Sequence, residues 1–310
     1  MSPETLQRVQ AAIRRLRYRP SNAARGLVTR RTKTIGLILA EIETPLFLQA
    51  LHHIEPMARA SGYNVLLCIA RNVADERHAL DLLLEKQVDG IIFLSTSQYL
   101  DDSHLLELKQ IELPIVLVNR ATVHNDFDQI NWDNLGGIGK AVDHLVQLRH
   151  RHIALLRGPA ERRSSLERLT GYRLALERHG IAFREEFVQA GDYTASPEQW
   201  RQSTLNLLSL TPRPTAIIAS DDTVAAIVMS TLQRAGLHIP RDISVVGFDD
   251  QSFCTFLNPT LTTVRLPIIE AGQCASEMLL QRIAGERNEI QHITLACPLI
   301  LRDSTSPCAS

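Results

Sequence analysis

The sequence predicts an α/β body of parallel, doubly wound sheets, preceded by a short basic helical segment. Three observations carry this. From Thr34 onward, short apolar runs alternate with amphipathic helical stretches, the pattern of βαβ units whose strands are buried on both faces. The alternation runs through two consecutive sets of similar size, which predicts two lobes. Positive charge is gathered ahead of them: residues 1–34 hold nine Arg or Lys against one acid, Glu4, in a chain of net charge −1. A basic head on an acidic body points to a polyanionic partner. A basic tail without a partner is the plainer alternative.

Ser2-Pro3-Glu4 is a helix start, with a capping Ser, Pro at the first helical position and an acid in the first turn. Leu6, Val9, Ile13 and Leu16 follow at spacings of three and four, giving one apolar face. Such a stripe needs neighbours, so this helix is expected to be a remnant of a larger helical head. Pro20 ends it, because the ring lacks an N–H and biases Arg19 toward extended backbone. Ser21 or Asn22 can cap a second short helix holding Ala23, Ala24 and Leu27, which Gly26 weakens by about 1 kcal/mol relative to Ala. So short a helix is marginal alone. It reads either as a solvated basic linker or as a hinge that orders on DNA and pushes Leu27 between base steps of the minor groove.

The body begins with an apolar strand at 35–40. Helix 46–60, strand 63–69, helix 74–86, strand 90–94, helix 104–111 and strand 115–118 follow. A second set comprises helix 134–148, strand 153–156, helix 166–179, strand 187–189, helix 197–208, strand 215–219, helix 223–235 and strand 243–247. Strand 262–265, helix 267–284 and a last strand pair or extended run over 290–302 complete it.

Five cysteines are scattered without a CxxC pair, which suggests neither a zinc cage nor a disulfide framework and fits a reducing cytoplasm. There is no signal-type apolar run at the start, and 35–40 is far too short to span a bilayer. No HExxH, GxSxG, GxxxxGK[ST] or GxGxxG motif is present. The chain therefore reads as a binding protein rather than an enzyme, with no metal or cofactor expected.

In open parallel sheets ligands sit beyond the carboxyl ends of strands, so the residues following each strand are the candidates. Phe47 could stack on a ligand or belong to the core. Arg157, Arg162, Arg163 and Arg168, with Ser164, could clamp a carboxylate, phosphate or polyhydroxyl ligand through fork-like donors, or form a solvated basic loop. That many arginines lean toward an acidic ligand. Asp221 or Asp222 can cap the helix after 219, and Asp222 also counts as a ligand candidate. Asp249-Asp250 follows the strand at 243–247 and lacks a His or Ser partner of catalytic type.

Taken in order, several stretches resemble the LacI/GalR family of bacterial transcriptional regulators. They are 17–27 (RYRPSNAARGL), 34–38 (TIGLI), 88–92 (VDGII), Asp133-Asn134 with Gly136-Gly137, 150–153 (HRHI), 168–172 (RLTGY), 220–222 (SDD), 243–249 (ISVVGFD) and 302–305 (RDST). The resemblance covers nearly the whole chain. It implies a two-lobed body like the type I periplasmic binding proteins, with lobes at 34–132 plus 265–290 and 133–264 plus 291–310, a head remnant at 1–19 and a hinge at 20–33. It implies a homodimer on operator DNA, with Leu27 entering the minor groove and Asn22, Ala23 and Arg25 beside it. It implies a small-molecule effector, a sugar or sugar acid by default, contacted by Arg168 and Asp249. By similarity within the family, Phe47, Arg162, Ser164 and Tyr193 also line the pocket. A solute-binding protein without DNA function is the alternative.

Two departures from the family pattern stand out. The residues before Pro20 match only the helix that follows the family's helix-turn-helix, so specific DNA binding by this sequence alone is expected to be weak. Arg149 stands where the family usually has a helix-ending Gly, which predicts left-handed strain there. The tail at 304–310 carries no heptads, so no tetramerising helix is expected.

Overall fold

The structure, a computed structural model, describes residues 31–40, 45–94, 111–120, 125–160, 162–191 and 196–308, with scattered positions between 4 and 15 and between 105 and 108. The hinge residues Asn22, Ala23, Arg25 and Leu27, and Tyr193, lie outside the described residues. Glu4, Thr5, Gln7, Arg8, Ala12 and Arg15 are helical, as the capping Ser2 and the apolar repeat predict.

Strand β1 (Thr34–Leu39) enters the core at once: every residue after Thr34 is buried. Helix α1 (Pro45–Ala60), β2 (Asn64–Ile69), α2 (Val73–Glu85), β3 (Gly90–Leu94), β4 (Ile115–Val118) and β5 (Asp128–Trp132) continue the first unit. The second comprises α3 (Asn134–Gln147), β6 (Ile153–Arg157), α4 (Arg163–Arg178), β7 (Val188–Ala190), α5 (Pro197–Leu208), β8 (Ala216–Ala219), α6 (Asp222–Arg234), β9 (Ser244–Asp249) and β10 (Thr262–Arg265). Helix α7 (Ile268–Ala284) and β11 (His292–Leu295) return to the first unit, and β12 (Leu299–Ile300) to the second.

Two six-stranded sheets result, ordered β11-β5-β4-β3-β1-β2 and β12-β10-β9-β8-β6-β7. All pairs are parallel except β10 with β12. Parallel strands need helical crossovers, which is why helices cover the faces and most strand interiors are apolar. Helix α7 packs on α1 at Gly272, where a Cβ would stand 3.3 Å from Ala50 O.

Two features depart from expectation. Strand β5 (Asp128-Gln129-Ile130-Asn131-Trp132) is not predicted, because its polar residues break the apolar pattern. Asp128 is nevertheless fully buried, receiving Arg282 Nε at 2.5 Å, Arg287 Nη2 at 2.6 Å and the Gln291 N–H at 2.8 Å. The run at 290–302 forms two strands that do not pair with each other. Its first half, β11, pairs parallel with β5 in the first sheet, and its second half pairs with β10 in the other. The return expected at 290 therefore falls after Leu295.

The chain crosses between the sheets three times, at Asp133, at Leu266–Pro267 and at 296–298. Hydrogen bonds join the crossings side by side: Asp133 N to Leu295 O at 2.9 Å and Arg265 N to Pro298 O at 2.8 Å. Strands β5, β10 and β11 all leave their sheets at their carboxyl ends here, so the carboxyl edges of both sheets meet at the crossings. This is where a parallel-sheet protein holds its ligand.

Candidate functional site

Arg168 lies at the centre of that junction. It is 7% exposed, two turns into α4. Its guanidinium lies 3.5 Å from the centroid of the Phe248 ring, whose burial removes competing water from the cation–π contact. Arg168 Nε donates to Asn134 Oδ1 at 3.2 Å, and Nη1 donates to Ser220 O. Asn134 opens α3 and in turn donates to Glu167 Oε2 at 2.8 Å. The arginine is thus held by residues from β9, α3 and the end of β8. Its second terminal nitrogen has no acceptor among the described residues.

Asp249 ends β9, next to Phe248. Its φ is 110°, a strained value for any residue with a side chain, and Asp250 follows at 58°. Its carboxylate receives no hydrogen bond among the described residues. Burial pushes its carboxyl well above the ordinary range; Arg168 opposes this, and the charges of Asp222 and Asp221 add to it. Asp250 differs: Arg265 Nε at 2.7 Å and Arg302 Nη2 at 2.6 Å neutralise it.

The two acids after β8 take structural roles. Asp221 Oδ1 accepts the Val224 N–H at 2.8 Å as the N-cap of α6, the capping predicted from the sequence. Asp222, a ligand candidate in the sequence, is engaged by the protein itself. It is fully buried, with Oδ1 accepting from Thr263 Oγ1 at 2.6 Å and Oδ2 from the Gln251 N–H at 2.7 Å. Burial pushes its carboxyl up to about 6 although Thr263, Gln251 and the Cys254 thiol all donate to it. Asp222 supports the Asp249 turn from behind.

The arginine-rich loop resolves into distinct roles. Arg157 Nε donates to Ser165 Oγ at 3.2 Å and its Nη2 to Ala160 O at 3.0 Å, closing the loop on itself. Arg163 pairs with Glu167 at 2.6 Å, and its Nη1 reaches Arg120 O of the first unit at 3.4 Å. Both guanidiniums are thus engaged with protein acceptors, which removes most of the basis for an acidic ligand. Arg162 and Ser164, both partly exposed, flank the first turn of α4 at this edge. Phe47 is 4% exposed and packed in the hydrophobic cluster with Leu46 and Ala50; of its two readings, the structure places it as core. On the opposite wall, Arg120 after β4 forms a buried pair with Glu76 of α2 at 2.8 Å. Asn134 and Phe248, which hold Arg168, were not singled out from the sequence, although both fall inside the family-like stretches.

The comparisons agree with this geometry. A model described as a periplasmic binding protein-like domain matches residues 142–305. The transcriptional repressor PurR of Proteus mirabilis is 34% identical over 310 residues, covering 99% of this chain and 89% of its own length. The chain belongs to the LacI family of transcriptional regulators. Catabolite control protein A of Priestia megaterium is 31% identical over 98% of this chain and 91% of its own length. Among solved structures, the regulator CelR in complex with cellobiose superposes with a TM-score of 0.79 at 27% identity, over 98% of this chain and 91% of that one. A LacI-family regulator from Enterococcus faecium with bound ribose gives 0.77 at 28% identity, over 88% and 99%. PurR is a transcriptional repressor and CelR a transcriptional regulator, and this LacI-family chain is not an enzyme. None of its described helices is long and apolar enough to cross a membrane.

Proposed function

We propose that this LacI-family chain is a transcriptional regulator whose affinity for operator DNA is set by a small molecule held between Arg168 and Asp249 at the junction of the two lobes. The observation that carries the reading is Asp249: a carboxylate that accepts no hydrogen bond among the described residues, on a strained backbone, beside an arginine whose second terminal nitrogen has no acceptor among them. A ligand hydroxyl or amide can donate to Asp249 and accept from Arg168, satisfying both. The ligand is then neutral and hydroxyl-rich, a carbohydrate being the simplest case; two structural neighbours carry cellobiose and ribose. Ligand closes the lobes through its differential affinity for two states. The lobes are the two sheets with their helices, and the three crossings act as the hinge between them. The chain acts as a homodimer. Its hinge residues Asn22, Ala23, Arg25 and Leu27 approach the minor groove, with Leu27 as the wedge.

Calorimetry with cellobiose and d-ribose tests the site. Arg168→Ala is expected to weaken binding by about 10- to 100-fold, the value of one or two hydrogen bonds to a charged group, while exposed Arg234→Ala leaves it unchanged. Equal affinities in both variants contradict the assignment. Fluorescence anisotropy of a duplex enriched by the chain from a random pool tests the output: ligand should change its affinity, and binding should fall steeply with salt.

A further inference from the structure

Thr32 and Lys33, the last residues before β1, are held by one side chain. Asp89 Oδ1 accepts the Thr32 N–H at 3.0 Å and Oδ2 accepts the Lys33 N–H at 3.0 Å. Two successive amides turned toward one acid form an anion-binding concavity, here with Lys33 at φ 55°. The Thr32 hydroxyl donates to Gln87 O at 2.8 Å, Asn64 N donates to Lys33 O at 2.9 Å, and Asp89's own N–H donates to Thr34 O at 2.8 Å. The Lys33 ammonium caps the Tyr63 ring, 4.3 Å from its centroid. Asp89 immediately precedes β3, whose Gly90 pairs with Ile35 of β1. These two central strands run from the clamp to the ligand junction at their carboxyl ends, so a displacement of the first lobe reaches Thr32 through continuous backbone.

Only a carboxylate fits both amides with one side chain. Asn would turn its own N–H₂ toward one of them, and Ala would leave both amides without an acceptor. We propose that Asp89 is the positioning residue of the linker: its carboxylate locks Thr32 and Lys33 to the amino ends of β1 and β3, so that the segment ahead of them leaves in a direction set by the first lobe. This role rests on the reading that the preceding segment meets DNA.

Trypsin reports the clamp directly, because the Arg31–Thr32 and Lys33–Thr34 bonds lie within and beside it. Cleavage at these two bonds is followed by mass spectrometry on the full chain for wild type, Asp89→Asn, Asp89→Ala and Asp89→Glu, alongside thermal midpoints. Cleavage should accelerate about tenfold or more in the Asn and Ala variants, the signature of local opening, and less with Glu. The fragment from Thr34 onward should stay resistant. Rates within twofold of wild type, or a body digested as fast as the linker, overturn the proposal. Retention of a random-sequence duplex separates it from the reading beneath it. If wild type holds no duplex, the DNA reading fails and the tryptic rates still judge the clamp. If Asp89→Asn is cut faster yet holds duplex as wild type does, the positioning role is overturned.

Discussion

Two aspartates meet arginines in this molecule, and they behave oppositely. Asp128, on β5, receives Arg282, Arg287 and a backbone amide. Burial alone would push its carboxyl up, but the hydrogen bonds from Arg287, Arg282 and Gln291 overcome that and hold it below the ordinary range. Asp249 has Arg168 nearby and, among the described residues, no donor bonded to its carboxylate, and there burial wins. The Arg287–Asp128 pair joins the loop after α7 to the first sheet; the Arg168–Asp249 pair leaves room for something else. A charge the protein satisfies itself is a structural joint, and one it leaves wanting is a place for a ligand.

Substitutions put that contrast to the test. The largest effect is expected at the satisfied centre. Asp128→Ala leaves two mostly buried arginines without their carboxylate, and urea unfolding should show a loss of about 3 kcal/mol. At the unsatisfied centre the order reverses: Asp249→Asn should cost about 10- to 100-fold in ligand affinity by calorimetry, with unfolding stability unchanged or raised. If Asp249→Asn destabilises as Asp128→Ala does, the contrast is wrong.

Acidity separates Asp128 from Asp222, whose charge bears on Asp249, with opposite signs. Asp128 has a depressed folded value, so its stabilisation is complete above the unfolded carboxyl pKa of about 4 and fades as pH falls through the folded value. Asp222 is raised to about 6 in the fold, so the folded state holds the extra proton between about 4 and 6. Its contribution to stability therefore falls as pH rises through that window and stays low above it. Asp222→Asn should flatten this part of the stability–pH curve measured by urea unfolding; an unchanged slope would remove Asp222 as its source. The smallest expected effect lies away from both centres. Arg149 has φ 67° just past the end of α3, so Arg149→Gly should gain about 0.5–1 kcal/mol in the same assay, strain relief partly offset by glycine's chain entropy.

Much of the fold was legible because its signals are local. The alternation of apolar runs gives both sheets, the acid after β8 caps α6, and Arg149 takes the left-handed turn its position demands. Strand β5 was not legible, since the arginines that make Asp128 tolerable lie about 150 residues later. Nor was the division of 290–302 between two sheets. At the site, Arg168 and Asp249 came from family-like motifs. Which neighbouring acid faces inward depended on Thr263 and the Gln251 amide, which only the fold brings to Asp222. The roles of the arginine loop were hidden for the same reason: Arg157 and Arg163 find acceptors close by only once the loop is folded.

The most direct measurement is a crystal structure of the chain with a ligand chosen by thermal shift from neutral mono- and disaccharides, paired with calorimetry of that ligand on wild type and Asp249→Asn. A ligand hydroxyl should donate to Asp249 and accept from Arg168, and the affinity should collapse in the variant. A ligand bound away from the crossings, or bound equally well without the Asp249 carboxylate, would contradict it.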